Sequence, residues 1–234
     1  MYIEVEGHNA KGWSGRSRGG YEMKNAKTGL YSAILAGIST AIFAVSMLKE
    51  SMSLISFGIC MVLSWSYTIL TCAFAAEADE EHKAFAYAGL SFACLYAVFI
   101  QLVYFTQLTT VNQAAASEEV IHALTYTPGS WMFALDLLGY AVMAVSTFFV
   151  GLTIQPISRT DRWLKAMLKL HGLFAICLVM PMLSPFDNAG NDSLDQVGVI
   201  VLEIWCLYFI PMMVLAAKHF NESGKSVQNS DKGL

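Results

Sequence analysis

Along the 234 residues, apolar side chains gather into six long blocks, near 29–48, 52–75, 85–108, 131–154, 164–184 and 196–217. Charged or turn-forming residues separate them: Lys49-Glu50, the acidic run Glu77 to Lys83, Asn112 to Ser130, Gln155 to Trp163, and Pro185 to Asp195. A block of roughly 20 apolar residues, rising 1.5 Å per residue, matches the ~30 Å hydrocarbon core of a bilayer. In hydrocarbon every backbone N–H and C=O must be bonded within its own segment, so the blocks are predicted helices. The expected fold class is all-α: a polytopic membrane bundle of six transmembrane helices.

Composition sharpens this reading. Hydrophobic residues make up 56% and charged residues 14% of the chain, against roughly 25% charged in ordinary soluble domains. That excludes a soluble globular protein, a disordered chain and a secreted disulfide scaffold. The basic residues set the orientation. Of 14 Lys and Arg, all but Lys49 fall on one side. They lie in the N-terminal tail (Lys11 to Lys27), at Lys83, from Arg159 to Lys169, and in the C-terminal tail (Lys218, Lys225, Lys232). Lys and Arg stay cytoplasmic, so both termini are expected there, in a bacterial inner (plasma) membrane. The first apolar block follows about 28 polar residues and is full length, which reads as an uncleaved insertion signal. Three parts are expected: a flexible basic tail over 1–28, a transmembrane domain over 29–217, and a polar tail over 218–234. The basic stretch from Lys11 to Lys27 reads first as a topology determinant and second as a contact for anionic headgroups.

Local signals fill in the connections. Ser117, followed by Glu118 and Glu119 and then apolar residues, predicts a short interfacial helix in the 112–130 loop. Ser130, and Ser193 with Gln196, read as N-caps of spans four and six. Gly29, Ala33, Gly37 and Ala41 recur every four residues, the spacing that lets membrane helices approach closely. Gly89, Ala93 and Ala97 repeat the device, and the next position on that face, Gln101, is expected in a helix contact. Pro181 and Pro211 predict kinks in spans five and six. Trp131, Trp163 and Tyr126 sit at span ends, where aromatic anchors belong. All five cysteines fall inside spans without metal-site spacing and read as packing residues.

Candidate chemistry rests on polar groups placed where they are costly. Asp136 lies about five residues, and Glu203 about seven, below the outer surface. Gln101 and Gln107 approach the same depth from span three, and Tyr140 shares a stripe with Asp136. Together these predict one outward-facing polar cavity: Asp136, Glu203, Gln101, Gln107 and Tyr140. His171 in span five is a secondary candidate, weighed against an ordinary hydrogen-bonded packing role. The run Glu77, Asp79, Glu80, Glu81 and His82 reads as a solvated hairpin that also faces Arg159 and Arg162. No nucleophile–base set, phosphate loop or haem pair is visible, so no catalytic, cofactor or metal residues are assigned.

LVYFTQLTTV (102–111) and ALDLLGYAVMAVSTFF (134–149), with Asp136 ahead of Leu138-Gly139-Tyr140, resemble an uncharacterised family of small bacterial six-helix membrane proteins. The resemblance implies a bundle fold and no activity. The first functional expectation is transport or permeation of a small solute or ion. The alternative is a non-enzymatic membrane sensor or assembly partner, with the small-residue face of span one as docking surface. A lipid-acting intramembrane enzyme comes last. Expected partners are the lipid bilayer, a small solute or cation, and a second copy or another membrane protein. Nucleic acid is not expected.

Overall fold

The structure, a computed structural model, describes residues 10–49, 54–127, 130–178 and 192–232, with side chains over 19–47, 54–127, 130–176 and 202–230. Every regular element among them is helical: α1 (Ala10–Lys49), α2 (Leu54–Glu77), α3 (Lys83–Thr106), α4 (Glu118–Leu124), α5 (Trp131–Thr153), α6 (Arg159–His171) and α7 (Asp192–Lys232). Five are long and apolar enough to cross a membrane: α2, α5, α3 with its extensions (Glu80–Val111), and the segments Gly19–Met47 of α1 and Leu202–Ser230 of α7.

The block expected as span five behaves differently. α6 is short and carries Arg159, Asp161, Arg162, Lys165 and Lys169, then passes into a 3-10 segment, Gly172–Leu178. The rest of that block, with Pro181, lies outside the described residues. The expected tails also differ. Residues 10–28 belong to α1 and residues 218–232 to α7, so helix extends through both polar stretches.

Side-chain contacts fix the helix directions. Ser46 Oγ lies 2.8 Å from Ser56 Oγ while Asn25 Nδ2 donates to Ala73 O, so α1 and α2 are antiparallel. Gln101 meets Met61 and Ser64 while Thr68 meets Ala93, which sets α3 against α2. Ser146 donates to Gly89 O while Gly139 faces Ile100, which sets α5 against α3. Gly29 faces Phe220 and Gly37 faces Met213, so α7 runs against α1. α5 and α7 therefore run the same way. α6 turns back along α5, with Gly151 beside Leu168 and Thr147 beside His171. These directions place Lys27, Lys83, Arg159 and Lys218 at one end, the basic end; Ser130 and α4 lie at the far end.

The small-residue face of α1 is occupied from within. A Cβ added to Gly29 would lie 2.5 Å from the Phe220 ring, so only glycine admits that ring. Ala33 and Ala36 are fully buried on the same side. Close packing, the usual glue between membrane helices, thus joins Gly29 and Gly37 to α7, while Ala41, next on the same stripe, is exposed. The outward surface of the bundle is oily, with Ile34, Ile38, Ile55, Trp65, Val98 and Phe105 exposed, as a lipid-facing surface requires.

Candidate functional site

Asp136 is the most enclosed carboxyl of the far half, 2% exposed on the inner face of α5. Ser130 positions it. Its side chain accepts the Phe133 N–H at 3.2 Å and starts α5 as the sequence predicted, which turns residues 132, 136, 139 and 140 inward. The carboxyl has one hydrogen-bond donor: Tyr126 Oη–H donates to Asp136 Oδ2 at 2.8 Å. Oδ1 is buried with no partner. The Tyr104 hydroxyl faces the same carboxyl without closing a hydrogen bond in good geometry.

Tyr126 was expected at the membrane surface as an anchor. The structure corrects this: its ring packs inward on Phe57, Tyr104 and Phe133, with centroids 6.2, 6.2 and 5.7 Å away. A buried carboxyl needs a donor, and the nearest loop aromatic supplies it. Trp131 and Trp163, by contrast, are exposed.

Gln107 holds the Tyr126 segment in place. At the end of α3 the helix widens into one π-turn, Gln107–Val111, and its first residue is buried. Gln107 Nε2 donates to Leu124 O at 2.8 Å and Oε1 accepts the Tyr126 N–H at 2.9 Å. An amide that offers both a donor and an acceptor clamps two successive backbone groups of a loop. α4 forms where the sequence predicts it, with Ser117 in extended conformation at its start but making no side-chain cap bond. α4 and the residues after it thus form a cover over Asp136, pinned by Gln107 and Tyr126.

The other candidates are distributed. Tyr140, one turn beyond Asp136, stacks edge-on with Trp205 at 5.1 Å, and its hydroxyl lies 3.9 Å from Cys60 Sγ. Gln101 points at α2, donating to Met61 O at 3.1 Å and Ser64 Oγ at 2.7 Å, the helix contact expected of it. Glu203 is half-buried on α7 with Oε1 enclosed and unpartnered, and no hydrogen bond joins it to Asp136, Gln101 or Gln107. The structure thus links Asp136 and Gln107 through Tyr126, brings Tyr140 beside them, and holds Gln101 on α2.

His171 is fully buried and fully bonded. Trp205 Nε1–H donates to Nε2 at 2.9 Å, so Nε2 offers a lone pair and Nδ1 carries the proton. Nδ1 then donates to Thr147 Oγ1 at 2.8 Å, and that hydroxyl donates to Ala144 O. The ring is a neutral tie between α5, α6 and α7 with no free atom.

A second polar cluster, at the basic end, escaped the sequence reading. His219 Nδ1 lies 2.7 Å from Asp161 Oδ1 and Nε2 lies 2.9 Å from Glu77 Oε2. With a carboxylate oxygen at each ring nitrogen, both nitrogens donate and the ring is an imidazolium bridging α2, α6 and α7. Asp161 Oδ2 meanwhile accepts the Ile157 and Ser158 N–H groups, and Ser158 Oγ accepts from Asp161 N, a complete capping box. Burial alone pushes the Asp161 carboxyl up, but the His219 and Ser158 hydrogen bonds outweigh it and hold it below its ordinary range. The Ser-x-x-Asp spacing at 158–161 was the available signal; nothing in the sequence marks His219. Nearby, the His82 ring, 2.6 Å from Asp79, lowers that exposed carboxyl as well. Glu77 thus takes its partner from α7, whereas the sequence pointed to Arg159 and Arg162. Among the described residues no group of three or more His, Cys, Asp or Glu is arranged to hold a metal ion.

No protein-family model matches the chain, no curated protein is significantly similar to it, and no solved structure resembles it significantly.

Proposed function

We propose that the chain is a six-crossing transport protein of a bacterial inner membrane, with both termini cytoplasmic, that takes a small cation or protonated solute at Asp136. The observation that carries the reading is the unpartnered Asp136 Oδ1. A buried carboxylate needs several donors or a counter-charge, and one tyrosine hydroxyl supplies half of that need. The free oxygen is where a proton, a metal cation or an ammonium group is taken up. Gln107 and Tyr126 act as the gate: admission from the far end requires breaking two Gln107 hydrogen bonds to the loop and the Tyr126–Asp136 bond. The described conformation is then the occluded one.

Two features support the topology. α5 and α7 run in the same direction, and between them α6 turns back along α5, as a sixth crossing requires. The lysines and arginines gather at the end where α2 hands over to α3 and α5 to α6, which favours that end as cytoplasmic.

Flux into proteoliposomes, read with proton, sodium, potassium and methylammonium reporters, tests the function. Asp136→Asn is expected to lower the flux of the transported ion at least tenfold, and Gln107→Ala to raise leak by weakening the cover. Unchanged flux of every probe in Asp136→Asn overturns the reading. The alternative, a sensor or assembly partner, draws support from α1 and α7: at 40 and 41 residues they reach about 60 Å, twice the hydrocarbon thickness. Such a stalk suits a cytoplasmic partner, and removal of residues 221–234 would then abolish signalling while leaving flux absent throughout.

A further inference from the structure

We propose that the outer groove between α1 and α7 is a binding site for one anionic phospholipid of the leaflet at the basic end. The groove is open to the outside and has a volume of about 460 Å³. Its walls are Ile34 and Ile38 on α1 and Ile210 and Val214 on α7, and its floor is low because Ala33 and Gly37 lie there. Small residues on the α1 side draw the two backbones together and leave a slot between the flanking isoleucines and valine. Nothing in that slot satisfies a polar guest, so it takes a hydrocarbon chain.

The mouth has the opposite character. The lining ends in Lys218 and Asn221 at the basic end. One turn further on, the same helical stripes carry exposed Lys27 on α1 and exposed Lys225 on α7. Because α1 and α7 are antiparallel, these stripes face the same side of the pair, so three ammonium groups and an amide border one opening. Glu222, one turn beyond Lys218 and about 40° round the helix from it, flanks the mouth as its one carboxylate on this stretch of α7, so the three lysines leave the opening net positive. An apolar slot leading to a cationic mouth at headgroup level matches an acyl chain beneath a phosphate. A second copy of the chain fits poorly. A two-fold contact through this groove sets Lys27, Lys218 and Lys225 against their own mates, and like charges in apposition oppose association.

Native mass spectrometry of the purified full-length protein, in detergent with equal amounts of phosphatidylglycerol and phosphatidylcholine, tests the site. Retained phosphatidylglycerol is expected to exceed phosphatidylcholine. Lys218→Gln and Lys225→Gln are each expected to reduce that ratio about fivefold. Ala41→Trp, at an exposed position lining the slot, is expected to displace lipid of both kinds while leaving the protein monomeric and folded. The two lysines are exposed, so their variants keep the test decisive should the tryptophan variant misfold. Equal retention of the two lipids, an unchanged ratio in the Lys218→Gln/Lys225→Gln protein, or a lipid-free dimer dissociated by Ala41→Trp each overturns the proposal.

Discussion

Asp136 and Asp161 are the same side chain buried in two regions of one bundle, and they are treated in opposite ways. Asp161, at the basic end, accepts hydrogen bonds from Ile157, Ser158 and His219, using both oxygens. Asp136, at the far end, accepts one, from Tyr126. Asp161 is the joint that starts α6 and ties it to α7; its chemistry is spent on structure. Asp136 keeps an oxygen in reserve. His171 belongs with Asp161, because each ring nitrogen already has a partner. Burial of an ionisable group is therefore a weak sign of function, and an unspent polar atom is a stronger one.

The largest test of this contrast is at the sealed site. His171→Ala leaves Trp205 Nε1–H and the Thr147 hydroxyl short of a partner beside a new cavity, and is expected to cost about 3 kcal/mol. Unfolding in mixed micelles measures it, and any residual folded protein should retain flux. Asp161→Ala removes a capping box and one carboxylate of the His219 bridge, with an expected cost of about 2 kcal/mol. The acid limb of the stability curve reads the same residue. Its folded carboxyl titrates below the unfolded value, so it stabilises above about pH 4 and that contribution disappears as pH falls through the lowered value. Asp161→Asn should flatten that limb.

At the unspent site the signs separate. Asp136→Asn preserves shape and still accepts from Tyr126, so stability should change by about 1 kcal/mol or less while flux is lost. A loss of 3 kcal/mol there, with flux intact in the survivors, makes Asp136 a second Asp161 and erases the contrast. The smallest effect concerns the cover. Ala114 closes the π-turn region at φ 49°, in the left-handed region that costs a residue with a Cβ. Ala114→Gly should stabilise by about 0.5–1 kcal/mol, measured by unfolding, with no change at Asp136.

How much of this was legible follows from what each residue answers to. The apolar blocks of α1, α2, α3, α5 and α7 answer to the solvent, lipid, and their extent is written in composition alone. The start of α5 answers to local capping chemistry at Ser130 and was equally visible, and α4 begins where Ser117 and its two glutamates mark it, although Ser117 makes no cap bond. The stretch after Arg159 was not, because an apolar run from Leu164 reads alike whether it forms α-helix throughout or changes to 3-10 at Gly172. The helical extension of α1 and α7 into polar sequence escaped for a related reason: the two stabilise each other there, Ala26 meeting Gly224 and Gly29 meeting Phe220, which no local signal reports.

The site divides in the same way. Asp136 stood out because a carboxylate within an apolar block is costly wherever it points. Gln107 stood out likewise, although its clamp on Leu124 and Tyr126 depends on a π-turn that has no sequence signature. Tyr126 was assigned to the interface by its position, and only the direction of one side chain makes it the partner of Asp136. The small-residue face of α1 reads correctly as a packing device, since Gly29 and Gly37 meet α7, although the same spacing serves an internal helix and an external partner alike.

The most direct measurement of the central claim is infrared difference spectroscopy of the carboxyl region on adding sodium, potassium or methylammonium to protein in liposomes. One of these is expected to perturb a single carboxyl band that is missing in Asp136→Asn and retained in Asp161→Asn. No cation-induced band in the wild type, or a band that persists in Asp136→Asn, would contradict the assignment of Asp136 as the uptake site.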